Sequence, residues 1–251
     1  MTGKIVLMAA ITVLTAAAPL GIMMWLHWKK SARWLPFLIG MVFFPLFAIG
    51  LEQVFHWIIL RTALGGIIQG NIWLYALYGG LAAGLFEETG RFAAFKLALQ
   101  DRWEPVTAIS YGLGHGGIEA FVLVGLTMIA NLSLVLAYGS GKLAPETAEL
   151  AETLIATPAV MFFWAGFERL AAMILHVSNS VLVFACVWED RRALFPAAIL
   201  IHAAVDFIAV ACGSFLPVAV VEILVMACSA AAAVLAAGAY RQLGWKNAQD
   251  A

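Results

Sequence analysis

Seven stretches of this chain are long and apolar enough to cross a bilayer, and no other feature of the sequence restricts its fold as severely. They run at about 4–28, 34–60, 71–97, 105–137, 156–188, 193–212 and 214–241, and a helix spans the hydrocarbon in about 20 residues. Lipid offers the backbone no water to bond, so each stretch must satisfy its own amides as a helix. The expected fold is all-α: a polytopic membrane protein of about seven transmembrane helices. These form a single transmembrane domain over residues 1–251, with the motif-bearing helices at about 71–212. Composition removes the alternatives. The chain is 64% apolar and 12% charged, against roughly a quarter charged in water-soluble domains. A net charge of −1 gives no cationic surface for nucleic acid. Cys186, Cys212 and Cys228 sit singly in apolar runs and read as small buried residues, not as a disulfide or thiolate framework.

Lysine and arginine set the orientation. With the N-terminus outside, the inner segments hold Lys29, Lys30, Arg33, Lys96, Arg102, Arg191, Arg192, Arg241 and Lys246, and the outer ones Lys4, Arg61 and Lys142. Nine against three predicts an outer N-terminus and an inner C-terminus. Cleavage after Ala16-Ala17-Ala18 would leave too short an apolar remnant before Lys29, so the first helix is expected to be retained. Trp25, Trp28, Trp34, Trp57, Trp103, Trp188 and Trp245 fall near span ends, as an interfacial aromatic belt does. The outer segment 139–155, with Glu146, Glu149 and Glu152, reads as a solvated loop with some helical character.

The third span is the anomaly. It carries Glu87-Glu88-Thr-Gly-Arg91, although one charge at the bilayer centre costs about 2.5–3.5 kcal/mol even on lenient scales. Helical spacing lets the Arg91 guanidinium reach both carboxylates. Other spans hold polar groups at a matching depth: His115 and Glu119 on the fourth, His176 on the fifth, His202 and Asp206 on the sixth. At 1.5 Å rise per residue these fall in one layer roughly 14–21 Å from the inner face. His115/Glu119 and His202/Asp206 repeat an i, i+4 device in which the carboxylate can fix the imidazole's tautomer or share its metal.

Two chemistries use such a set. Glu87 or Glu88 can act as the base on a water while histidines donate to an oxyanion. Alternatively His115, His176 and His202 can hold a metal such as zinc, with one position left for water. No His-Glu-x-x-His is present, and the residues leave both routes open. Gly80 and Gly84 form a small-xxx-small packing pair. The glycines at 112, 114, 116 and 117 loosen the helix around His115, so that a neighbouring backbone, an extended peptide included, could lie against it. Glu168 and Arg169 read as a helix–helix ion pair, Glu222 as a candidate partner for Arg169, and Glu52 with His56 as groups solvated near the outer interface.

Three motifs resemble those of the type II CAAX prenyl endopeptidase superfamily of intramembrane proteases, and its YhfC-type branch most closely. They are Glu87-Glu88-Thr-Gly-Arg91, Tyr111-Gly-Leu-Gly-His115 and His202-Ala-Ala-Val-Asp206, in matching order over about residues 80–210. The departures are a first motif one residue shorter, Tyr111 for Phe and Asp206 for Asn; His176 and Ser180 form an additional polar pair. The resemblance implies that Glu87 and His115 activate the attacking water and that His202 and Asp206 support the oxyanion. Glu88 and Arg91 are then the supporting pair. It implies an intramembrane endopeptidase of a bacterial cytoplasmic membrane, acting on a transmembrane or lipidated protein and surrounded by membrane lipid. The rival readings are a non-catalytic scaffold that binds partner helices and a proton- or metal-coupled transporter.

Overall fold

In the computed structural model, which describes residues 2–102, 104–141 and 143–249, each apolar run is helical, and the helices begin and end where side chains and backbone permit. Trp103 and Lys142 lie outside the described residues, as do the side chains of Trp245 and Lys246. The order is α1 (Thr2–Lys30), α2 (Trp34–Phe44), α3 (Glu52–Ile59), α4 (Ala63–Gln69), α5 (Ile72–Ala93), α6 (Val106–Ala120), α7 (Leu126–Tyr138), α8 (Pro145–Ala156), α9 (Ala159–Glu189), α10 (Leu194–Gly213) and α11 (Val218–Gln249). Three π turns, Pro45–Leu51, Ala94–Ala98 and Phe121–Gly125, join α2 to α3, extend α5 and join α6 to α7. Asn71 starts α5 by accepting from the amides of Trp73 and Leu74 at 2.9 and 3.2 Å, filling two of the unpaired donors of a helix N-terminus. Asp190, in the left-handed region at φ 55°, ends α9.

Among the described residues six helical runs are long and apolar enough to cross a membrane: Thr2–Lys30, Trp34–Ile59, Val106–Tyr138, Ala159–Glu189, Leu194–Gly213 and Val218–Leu243. The chain is therefore an all-α, multi-pass integral membrane protein. The seventh expected run is α5, whose 22 residues continue through the π turn to Ala98; it is long enough, but Glu87, Glu88 and Arg91 keep it less apolar than the six. The segment 139–155 holds a real helix, α8, opened by Pro145 at its first position. The short helix α4 between the second and third runs has no counterpart in the sequence reading.

The centre of the bundle is α9, whose most apolar window is 72% buried where those of the other five candidate spans are 22–28% buried. It packs on α1, α5, α6, α10 and α11, while α5 lies along α10 and α2 along α6. Glycines set the close crossings. A Cβ on Gly84 would stand 2.6 Å from the Ile199 carbonyl of α10, and one on Gly114 would stand 1.9 Å from the Phe37 carbonyl of α2. The glycine face around His115 is thus filled by the protein's own helices, with Phe37 on Gly114, α9 on Gly112 and Gly116, and Pro19 on Gly117. Close packing replaces the hydrophobic effect as the force between helices in lipid, which is why small residues gather at these crossings.

Candidate metal centre

Four helices deliver the polar layer to one place. Helix α5 brings Glu87, Glu88 and Arg91; α6 brings His115 and Glu119; α9 brings Arg169, His176 and Asn179; α10 brings His202 and Asp206. The first nine of these are nearly sealed, from 0% exposure for Glu88, Arg91 and Asn179 to 8% for Arg169. The tenth, Asp206, keeps 35% of its side chain accessible and marks the open edge of the cluster.

Glu88 anchors the layer. Arg91 Nη1 donates to both of its oxygens at 2.8 and 2.7 Å, Asn179 Nδ2 donates at 3.0 Å, and His202 Nδ1 lies 2.8 Å from Oε1. The carboxylate can only accept, so His202 carries its proton on Nδ1. Its Nε2 then faces Glu87 Oε2 at 4.0 Å and Asp206 Oδ2 at 3.6 Å. Arg91 reaches Glu88 alone of the two acids; its Nη2 donates instead to His176 Nδ1 at 3.1 Å. That donation places the His176 proton on Nε2, which faces Glu119.

Glu87 is the hub of the other half. Its Oε2 accepts from His115 Nε2 at 2.9 Å and stands 3.9 Å from His176 Nδ1 and 4.0 Å from His202 Nε2. The imidazoles follow one another around it, with ring centroids 4.7 Å apart for His115 and His176 and 5.3 Å apart for His176 and His202. The edge of Phe44 closes the far side of His115 at 5.2 Å.

Of the two i, i+4 pairs, His202–Asp206 forms only as a loose ion pair at 3.6 Å, and His115–Glu119 does not form among the described residues. His115 bonds Glu87, not Glu119, and Glu119 turns to Arg169 and His176. His202 bonds Glu88, and Asp206 stays beyond hydrogen-bond distance. At His202 the glycine-tightened crossing of α5 and α10 brings Glu88 nearer than Asp206 of the same helix; His115 meets Glu87 across the bundle centre. Ser180 also stays out of the cluster, because its hydroxyl donates to the His176 carbonyl one turn back at 2.6 Å. Tyr111 is fully buried and packs its ring on Phe95 at 4.9 Å. Asn179 and Arg169 join the site without having been assigned to it. A buried Asn three residues after His176 shares its helical face, and that spacing is the signal that could have found it.

Arg169 does pair between helices, donating from Nη1 to Glu119 at 2.7 Å, and it also holds Glu168. Glu222 makes no ion pair with it among the described residues, and its buried Oε2 lacks a hydrogen bond. Glu52 is not solvated. It is 6% exposed and accepts from His56 Nε2 at 3.0 Å, while His56 Nδ1 meets the Tyr78 hydroxyl at 2.8 Å. Phe55 packs against Tyr78 and Phe86 of α5 and holds α3 against that helix.

The donor set suits a metal ion. One ligand atom each from Glu87, His115, Glu119 and His176 lies within 4.8 Å of every other, and all four residues are buried. Ligands about 2.1 Å from a shared tetrahedral zinc ion lie about 3.4 Å apart, so the widest pairs would have to close by about 1.4 Å for all four to bind. One atom of this group, His115 Nδ1, is buried without a hydrogen bond among the described residues, a costly state that a ligand or water would relieve; Glu119 Oε2 meets His176 Nε2. A ligating imidazole carries its proton on the opposite nitrogen, so His176 can bind through Nε2 only if the Arg91 contact opens.

A family model described as YhfC intramembrane metalloprotease matches residues 14–225. The chain is also similar to a protein of Bacillus subtilis (strain 168) called "Uncharacterized membrane protein YhfC", 31% identical over 197 residues that cover 74% of this chain and 76% of that one. No solved structure matches it significantly.

Proposed function

The chain belongs to the YhfC intramembrane metalloprotease family, and from that premise we propose that it is an intramembrane endopeptidase hydrolysing a peptide bond of a membrane-embedded or lipid-associated protein. It acts as a single transmembrane domain over residues 1–251, in a bacterial cytoplasmic membrane, with its N-terminus outside and C-terminus inside. The observation that carries the reading is the position of Glu87 Oε2, 2.9–4.0 Å from imidazole nitrogens of three other helices.

Glu87 takes a proton from water as the water oxygen attacks the scissile carbonyl, and returns it to the leaving amine. His202, held by Glu88 through Nδ1, turns Nε2 towards the open edge beside Asp206 and, as an imidazolium protonated on both nitrogens, donates from it to the developing oxyanion. Asp206 lies on the accessible edge, where the substrate's carbonyl reaches the layer. His115, His176 and His202, with Glu87 and Glu119, are the residues that would hold zinc. Bound there, zinc would supply a more acidic water and a Lewis acid for the carbonyl. A second reading, a metal-free glutamate mechanism, is favoured by the direct His115–Glu87 hydrogen bond, which already pairs a base with a donor.

Elemental analysis of protein purified without added metal, together with chelation, separates these readings. One equivalent of metal, and cleavage of a reporter transmembrane substrate that chelator stops and zinc restores, is the expected result. Full cleavage by metal-free protein would establish the glutamate route instead. No cleavage by metal-loaded protein of any transmembrane or lipidated substrate offered would overturn the protease assignment.

A further inference from the structure

Arg169 sits seven residues before His176 on α9, is 8% exposed, and stands outside the set given a role in the reaction. It crosses to α6 and donates from Nη1 to Glu119 Oε1 at 2.7 Å. The opposite edge of the guanidinium is held by Glu168, through Nε to Oε2 at 3.2 Å and through a contact of Nη2 with Oε1. The other oxygen of Glu119 makes no contact with Arg169. Oε2 is buried and meets His176 Nε2 inside the four-residue donor group. A free carboxylate rotates and can offer either oxygen; with Oε1 pinned, this one offers Oε2 in a single direction.

We propose that Arg169 is a positioning residue that aims Glu119 Oε2 at the metal and so sets the affinity of the centre. This rests on the metal reading above. Outer groups that orient ligands in this way change metal affinity about 10- to 100-fold when removed. Glu168 contributes by satisfying the rest of the guanidinium, so that Arg169 spends one N–H on Glu119 and stays fixed.

The test uses the full chain in detergent, stripped of metal and titrated with zinc against a chelating indicator. R169Q should bind zinc about 10- to 100-fold more weakly than wild type. R169K, with the charge and a single donor, should recover most of the affinity and remain several-fold weak. In an E119Q background R169Q should cost nothing further, because Arg169 acts through that carboxylate, whereas a packing role would weaken both backgrounds equally. The visible absorption of the cobalt-substituted protein should change in R169Q, reporting a displaced ligand. If R169Q does not fold, the residual weakness and altered spectrum of R169K carry the test. Wild-type affinity and spectrum in the folded variant would overturn Arg169 alone, and a wild-type protein that takes up no zinc would overturn the metal reading and this inference together.

Discussion

On the Glu88 side of the polar layer one carboxylate accepts two hydrogen bonds from Arg91, one from Asn179 and one from His202; on the Glu87 side its neighbour in sequence accepts one, from His115. A carboxylate offers about four acceptor positions. Glu88 has used them and Glu87 has not, although they are 0% and 7% exposed. Burial therefore does not distinguish the two acids, but saturation does. The saturated half is a fixture that joins α5, α9 and α10, and the half with spare acceptor positions is where water or a metal can be held.

The sharpest way to break this comparison is to exchange only the charge of Glu87. The amide of Glu87→Gln keeps an oxygen for His115 but cannot accept a proton, so cleavage should fall about 10²- to 10⁴-fold, the usual worth of a general base. The purified variant should keep the helical content and the thermal midpoint of the wild type. Unchanged cleavage would remove Glu87 as the base, and a variant that fails to fold would show that its half of the layer is structural as well.

Why hydropathy exposed the spans and not the pairings is a matter of range. An apolar run of twenty residues is a local property, and lipid forces it into a helix wherever it lies. The partner of a buried charge is not local. The i, i+4 rule pairs His115 with Glu119 and His202 with Asp206, whereas the packed bundle supplies Glu87 and Glu88 from α5 at 2.9 and 2.8 Å. The convergence on one layer was legible because equal depth on several helices is a counting argument. Arg169 looked like half of a separate ion pair because Glu168 stands beside it in sequence, while the acid that ties it to the layer, Glu119, lies on another helix. Asn179 is uncharged and flanked by Ser178 and Ser180, so only its spacing from His176 hints at a role before Glu88 stands opposite. Glu52 read as interfacial since its depth was known and the packing of α3 on α5 through Phe55 and His56 was not.

Glu88→Ala attacks the other half. It strands Arg91 at 0% exposure with no carboxylate, and breaking a buried pair in this way costs about 3–5 kcal/mol. Equilibrium unfolding in mixed micelles should show the loss, with cleavage falling in step with the folded fraction. A variant as stable as wild type would mean that Glu88 is no fixture, and the contrast with Glu87 would fail.

Asn179→Ala sharpens the contrast at its weakest contact. The side chain donates to Glu88 Oε1 at 3.0 Å and to the Ala198 carbonyl at 3.2 Å, tying α9 to the start of α10. Hydrogen bonds to charged groups are worth about 1.5–3 kcal/mol in water-soluble proteins, but side-chain bonds within membranes average about 0.6 kcal/mol. Glu88 would retain both Arg91 contacts and His202, so a loss of about 1 kcal/mol is expected, well below that of Glu88→Ala. Cleavage per folded molecule should fall less than tenfold, because His202 keeps its Nδ1 acceptor and hence its tautomer. A stability loss equal to that of Glu88→Ala would make Asn179 the keystone of the fixed half. A loss of cleavage equal to that of Glu87→Gln in folded protein would show that the two halves act on the reaction together, and saturation would no longer separate structure from chemistry.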